Sequence, residues 1–152
     1  MDLKTCLPTN HIVLHLQGTS RREILSALCE PLVSDSVVTN IETFLDDLER
    51  REDEITTRVT ESIALPHARS HAVRRLGFCV GIADEPGLSF GALPAHCCRL
   101  FFLIGVPSYA PTAHMPLLQT LAKLAQDEQK TAKLLASRTP SQAMRCLVSF
   151  RG

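Results

Sequence analysis

Apolar residues recur along the chain in two rhythms. Leu117, Leu118, Leu121, Leu124 and Ala125 follow the period of an α-helix with one buried stripe, in a segment that opens at His114. Ile41, Phe44, Leu45 and Leu48 keep the same spacing and predict a helix ending near Arg51. Leu76–Ile82 and Leu100–Gly105 are instead short unbroken apolar runs bounded by turn residues, the pattern of buried strands. His11–Leu16 and Ile63–Leu65 are shorter strand candidates. Helix starts are marked by polar residues. Ser20-Arg21-Arg22-Glu23 has the spacing of a capping box and predicts a helix from Arg21 to Pro31, and Thr39-Asn40-Ile41-Glu42 repeats that spacing. Gln129–Ala136 reads as a further helix, and Thr139-Pro140-Ser141-Gln142 opens the last one. Strands interleaved with helices predict a single α/β domain over residues 1–152, a mixed β-sheet flanked by α-helices.

Composition narrows the class without naming an activity. With 152 residues, 45% of them hydrophobic and 21% charged, the chain has the make-up of one folded domain. Sixteen basic residues balance sixteen acidic ones, so the cationic excess of a nucleic-acid binder is missing and no nucleic-acid partner is expected. No apolar run approaches the roughly 18 residues of a membrane-spanning helix, so direct membrane insertion is not expected. Met1-Asp2-Leu3-Lys4 lacks the basic and apolar segments of a secretory signal, which makes the cytoplasm the expected compartment. In that compartment Cys6, Cys29, Cys79 and Cys146 read as isolated thiols rather than disulfide partners.

Candidate chemistry concentrates in Ser62-Ile63-Ala64-Leu65-Pro66-His67-Ala68-Arg69. An apolar run stops at a proline, which has no amide hydrogen for strand pairing, and a histidine follows at a sheet edge or loop. An unperturbed histidine titrates near pH 6.5, so a neutral, nucleophilic ring is abundant at cytoplasmic pH.

Three features in order give this segment a context: Arg51-Glu52 at the end of a helix, then Ile63-Ala64-Leu65-Pro66-His67-Ala68-Arg69, then His114 before Leu117, Leu118 and Leu121. The two intervals are 16 and 47 positions. The set resembles the fructose/mannitol-type enzyme IIA domain of the bacterial phosphoenolpyruvate-dependent phosphotransferase system, over about residues 10–148, and is most like its stand-alone nitrogen-regulatory members. The resemblance implies a phosphohistidine carrier. His67 would accept a phosphoryl group from the phosphocarrier protein and either regulate a target protein or pass the group to an enzyme IIB partner. Arg51 matches the family's active-site arginine, with a guanidinium fork suited to phosphate oxygens, and His114 matches its second histidine at a helix start. Arg69 is a further candidate phosphate contact. Thr57, in the loop before the motif, and Ser62, from a Glu-Ser pair of the kind mannitol-type members carry, are candidate binding hydroxyls. No cofactor is implied. Because no enzyme IIB or IIC sequence follows Gly152, a nitrogen-type regulatory role is expected ahead of dedicated transport.

Two other readings rest on particular residues. Thr57-Arg58-Val59-Thr60-Glu61-Ser62 has none of the glycines usual in this family's loop, which leaves a phosphorylation-independent interaction module with a decayed site as the alternative. His67 with His71, and His96-Cys97-Cys98, are potential zinc ligands, although adjacent cysteines on a strand would face opposite ways.

Overall fold

The computed structural model describes residues 3–93 and 95–150. Its central sheet is mixed. β1 (Ile12–Leu14) runs parallel to β4 (Gly77–Ile82), β4 runs antiparallel to β7 (Leu100–Pro107), and β2 (Ile63–Ala64) and β3 (His67–Ser70) lie parallel to β7 on its far side. A separate two-stranded ribbon pairs β5 (Leu88–Ser89) with β6 (Cys97–Cys98).

Every residue of β4 and β7 is buried, which explains why these strands read as continuous apolar runs rather than alternating ones. The two-residue period sorts β7 between two cores. Phe101 and Leu103 meet α1 (Arg21–Ser34) and α2 (Ile41–Glu54) through Leu28, Leu32, Phe44 and Leu48. Leu100, Phe102, Ile104 and Val106 meet α3 (Met115–Ala125), α4 (Glu128–Leu135) and α5 (Pro140–Val148) through Leu117, Leu121, Leu134 and Leu147. The molecule is therefore a sheet between two helical layers. Burying each large side chain contributes about 1.5–3 kcal/mol.

Local chemistry sets the helix limits, with some departures from expectation. The Ser20 hydroxyl accepts from the Glu23 amide at 3.1 Å, while the Glu23 carboxylate accepts from Thr19 through both amide and hydroxyl. α1 does not stop at Pro31 but runs to Ser34. Proline costs the last turn one donor, yet fully buried Leu32 anchors that turn, and the Asp35 amide still donates to the Pro31 carbonyl. The cap of α2 is Asn40, which accepts from the Thr43 amide, one residue later than the predicted box. Thr39 is diverted, its hydroxyl donating to the Ala72 carbonyl. α2 also continues a turn past Arg51 to Glu54. Thr139 caps α5 and Pro140 opens it, as its sequence predicts. None of the six cysteines forms a disulfide, with Cys29 and Cys79 buried and Cys6 and Cys146 half-buried.

Candidate functional site

The edge of the sheet beside β7 is one track interrupted at Leu65-Pro66. Pro66 donates nothing, but its carbonyl accepts from the Ile104 amide at 3.0 Å, and pairing resumes at once with His67 opposite Ile104. The expectation that strand pairing ends at the proline is thus corrected: His67 is the first residue of β3, on the sheet edge. Ala68 belongs to the core under α1 and α2, so alternation along β3 sends His67 and Arg69 to the opposite face. There they meet the turn before α3.

The loop leading to this track makes its turn without glycine. Residues 57–65 double back on themselves, with the Leu65 amide donating to the Thr57 carbonyl at 3.0 Å and the Val59 amide to the Ile63 carbonyl at 2.9 Å. Side chains close the tip: the Thr60 hydroxyl accepts from the Ser62 amide, and the Arg58 guanidinium donates to the Glu61 carbonyl.

A cleft of about 300 Å³ opens over His67, lined by Asp47, Arg50, Arg51 and Glu54 of α2, by Ala68 and Arg69 of β3, and by His114. His114 caps α3 rather than opening it as the first helical residue; it is 4% exposed, and its Nδ1 has no hydrogen-bond partner among the described residues. Its ring centroid lies 5.6 Å from that of His67. The His67 Nδ1 lies 2.7 Å from the Leu65 carbonyl oxygen. A carbonyl only accepts, so the neutral ring carries its hydrogen on Nδ1 and keeps the Nε2 lone pair free. Burial holds His67 below the ordinary value near 6.5; the Leu65 carbonyl opposes the shift, the Arg51 and Arg69 charges add to it, and Glu52 opposes it. His114 is also lowered, by burial first and then by His67 and Arg69. Both rings are therefore held toward the neutral form.

The arginines are placed for an anion. Arg51 donates from Nη1 to the Ile55 carbonyl at 2.8 Å, and Arg69 from Nε to the Pro111 carbonyl at 2.9 Å. Each guanidinium has five N–H donors, so most remain available to a ligand in the cleft. The amino end of α3 adds a favourable potential for negative charge beside His114.

Of the residues singled out in the sequence, His67, His114, Arg51 and Arg69 share this cleft, whereas Thr57 and Ser62 do not line it. Thr57 is buried and gives its hydroxyl to Glu52 at 2.5 Å. Ser62 faces a second hollow with Arg58, Glu61, Ala95, His96 and Cys97. Asp47, Arg50 and Glu54 went unread. Their spacing around Arg51 marks one face of α2 and was the available signal. The zinc candidates are not gathered. His67 sits on a strand, so its spacing to His71 is not that of a helical pair, and the His71 Nδ1 lies 2.9 Å from the Ser108 hydroxyl. Among the described residues no three His, Cys, Asp or Glu side chains are grouped to hold a metal ion.

Together the layered fold and the cleft define a class: an α/β domain with the uncommitted Nε2 of a strand histidine, His67, set among arginines at a sheet edge. Residues 5–149 match the model of the family described as phosphoenolpyruvate-dependent sugar phosphotransferase system, EIIA 2, and the chain belongs to that family. It is 30% identical over 148 residues to the PTS system 2-O-alpha-mannosyl-D-glycerate-specific EIIABC component of Escherichia coli (strain K12); the match takes in 97% of this chain but 22% of that protein's length. The fold is shared with the crystal structure of nitrogen regulatory protein IIA-Ntr from Neisseria meningitidis, with a TM-score of 0.82 at 23% identity over 95% of this chain and 98% of the other. It is shared as well with enzyme IIA mannitol in its complex with phosphorylated enzyme IIB mannitol from Escherichia coli, with a TM-score of 0.78 at 22% identity over 95% and 98% of the two chains.

Proposed function

We propose that the chain is a cytoplasmic phosphohistidine carrier that receives a phosphoryl group from the phosphocarrier protein on Nε2 of His67 and passes it to an enzyme IIB partner. The observation that carries this reading is the His67 imidazole, with Nδ1 committed to the Leu65 carbonyl and Nε2 free in a cleft lined by Arg51 and Arg69. In the forward step the Nε2 lone pair forms the new N–P bond while the donor's N–P bond breaks, its electron pair returning to the donor's ring nitrogen. The His67 ring gains positive charge as the bond forms. The Leu65 carbonyl, accepting from Nδ1–H, stabilises that charge, and the two arginines with the start of α3 neutralise the phosphoryl oxygens. Phosphoryl transfer needs little covalent machinery beyond such positioning.

Onward transfer to enzyme IIB is placed ahead of nitrogen-type regulation because the relative matched across nearly the whole chain is a sugar-specific component. The test is reconstitution with phosphoenolpyruvate, enzyme I and the phosphocarrier protein, followed by intact mass. The unaltered chain should gain one phosphoryl group and His67→Ala none, and the label should move to an added enzyme IIB. An unlabelled parent chain, or an acid-labile adduct that persists in His67→Ala, overturns the proposal. The first result would favour the phosphorylation-independent module.

A further inference from the structure

We infer that Glu52 is the positioning residue that sets the tautomer and aim of His67, acting through Thr57 and the Leu65 peptide. Its consequence for transfer rests on the phosphocarrier reading; its geometry does not.

Glu52 lies in the last turn of α2, beside Arg51, and is only 7% exposed. A carboxylate withdrawn from water is costly unless its oxygens are satisfied. Here the following loop supplies the donors. The Thr57 amide donates at 2.7 Å and the Thr57 hydroxyl at 2.5 Å, and the Thr56 hydroxyl adds a third bond at 3.0 Å. Thr57 is thereby held by both its amide and its hydroxyl, and its carbonyl accepts from the Leu65 amide of the edge track at 3.0 Å. The Leu65 carbonyl in turn accepts from Nδ1–H of His67 at 2.7 Å. The direction of each bond is fixed by chemistry: a carboxylate and a carbonyl accept, an amide donates.

The sheet cannot do this work alone. Pairing with β7 covers Ile63 and Ala64, then resumes at His67, so the Leu65 peptide falls in the gap. Its amide is held by Thr57 instead, and Thr57 is held by Glu52. α2 thus supplies from two adjacent residues both a cleft cation, Arg51, and the anchor that turns Nε2 toward the cleft. The Glu52 charge also bears on the ring directly, favouring the protonated form against the opposing effects of Arg51 and Arg69. The His114 ring also lies against the His67 ring, and Asp47, Arg50 and Glu54 of α2 line the same cleft.

The test uses the full chain with uniformly ¹⁵N-labelled histidine. Long-range ¹H–¹⁵N spectra report the tautomer and titration of His67 without any phosphorylation, and transfer from the phosphocarrier protein is timed on the same samples. In the parent, the Nδ1–H form should dominate. Glu52→Ala should show both tautomers and take up the phosphoryl group about tenfold more slowly or worse, because misaimed reacting groups forfeit much of the gain from positioning. Glu52→Gln keeps the shape and an oxygen acceptor for the Thr57 amide, so it should retain the Nδ1–H form while His67 titrates at lower pH. This second variant decides the matter if Glu52→Ala does not fold. A folded Glu52→Ala chain with an unchanged tautomer, or a Glu52→Gln chain whose His67 midpoint does not fall, overturns the inference. Failure of the parent chain to accept a phosphoryl group would instead defeat the carrier reading, and the tautomer spectra would still judge Glu52.

Discussion

Replacing Arg51 by alanine should separate the chemistry of the cleft from the stability of the fold. In the resting structure the guanidinium makes one exposed bond, to the Ile55 carbonyl at the end of α2. Losing a bond of that kind costs about 0.5–1.5 kcal/mol, so the melting temperature should move by only a few degrees. If His67 carries the phosphoryl group as proposed, the same side chain would become a charged donor to its oxygens, an interaction worth about 1.5–3 kcal/mol. At about 1.4 kcal/mol per factor of ten, Arg51→Ala should slow uptake from the phosphocarrier protein by about 10- to 150-fold. Arg51→Lys, which keeps a charge but not the fork, should fall between that variant and the parent. Rates come from rapid quench with labelled donor, with His67→Ala as the blank. The variant carries an internal check as well. Arg51 helps hold His67 toward the neutral form, so its removal should raise the pH at which that ring titrates. An Arg51→Ala chain that accepts the phosphoryl group within about twofold of the parent rate, with a normal melt, would refute the reasoning.

Further outcomes follow from burial and charge. Because His67 is held below 6.5, its uptake rate should begin to fall at a more acid pH than an ordinary imidazole would give, which stopped reactions across a buffer series will show. His67 and His114 are both lowered, so the stability their neutral rings contribute is present above the ordinary histidine value near pH 6.5 and is lost as the pH falls through it toward the folded-state values, as urea melts between pH 7.5 and 5 can measure. Gly81→Ala would place a Cβ 2.6 Å from Leu28 Cδ1 and 2.9 Å from Leu16 Cδ2, and this overpacking should cost about 1–3 kcal/mol in chemical denaturation. Phe102→Ala empties a fully buried position on the α3 side of the sheet and should cost about 3–5 kcal/mol in the same assay.

What could be read in the sequence depended on how local its cause was. Ser20 and Thr139 were legible as caps because a cap needs only residues within one turn. The run past Pro31 was not legible, since it depends on Leu32 finding the core under the sheet. β4 and β7 announced themselves as apolar runs, whereas β3, His67-Ala68-Arg69-Ser70, hid because an edge strand needs only alternate small residues inside, here Ala68 and Ser70. At the candidate site, His67, Arg51, Arg69 and His114 were legible only through the family resemblance that their order carries, and they line one cleft. The setting of Glu52 was not, because a buried carboxylate is defined by partners that only the folded loop brings to it. Thr57 carried a hydroxyl at a plausible place, but sequence has no means of saying which way it points.

The break in the edge strand also makes the domain sensitive to parity. Between Ala64, which faces the α1–α2 core, and Ala68, which faces it again, lie three residues, so the two halves of the track stay in phase across the proline. One residue added or removed there would exchange inside for outside along β3, turning the imidazole into the hydrophobic layer and presenting a methyl group to any incoming donor. Insertions of two would keep the phase. Length variation among working homologues at this junction should therefore come in even steps.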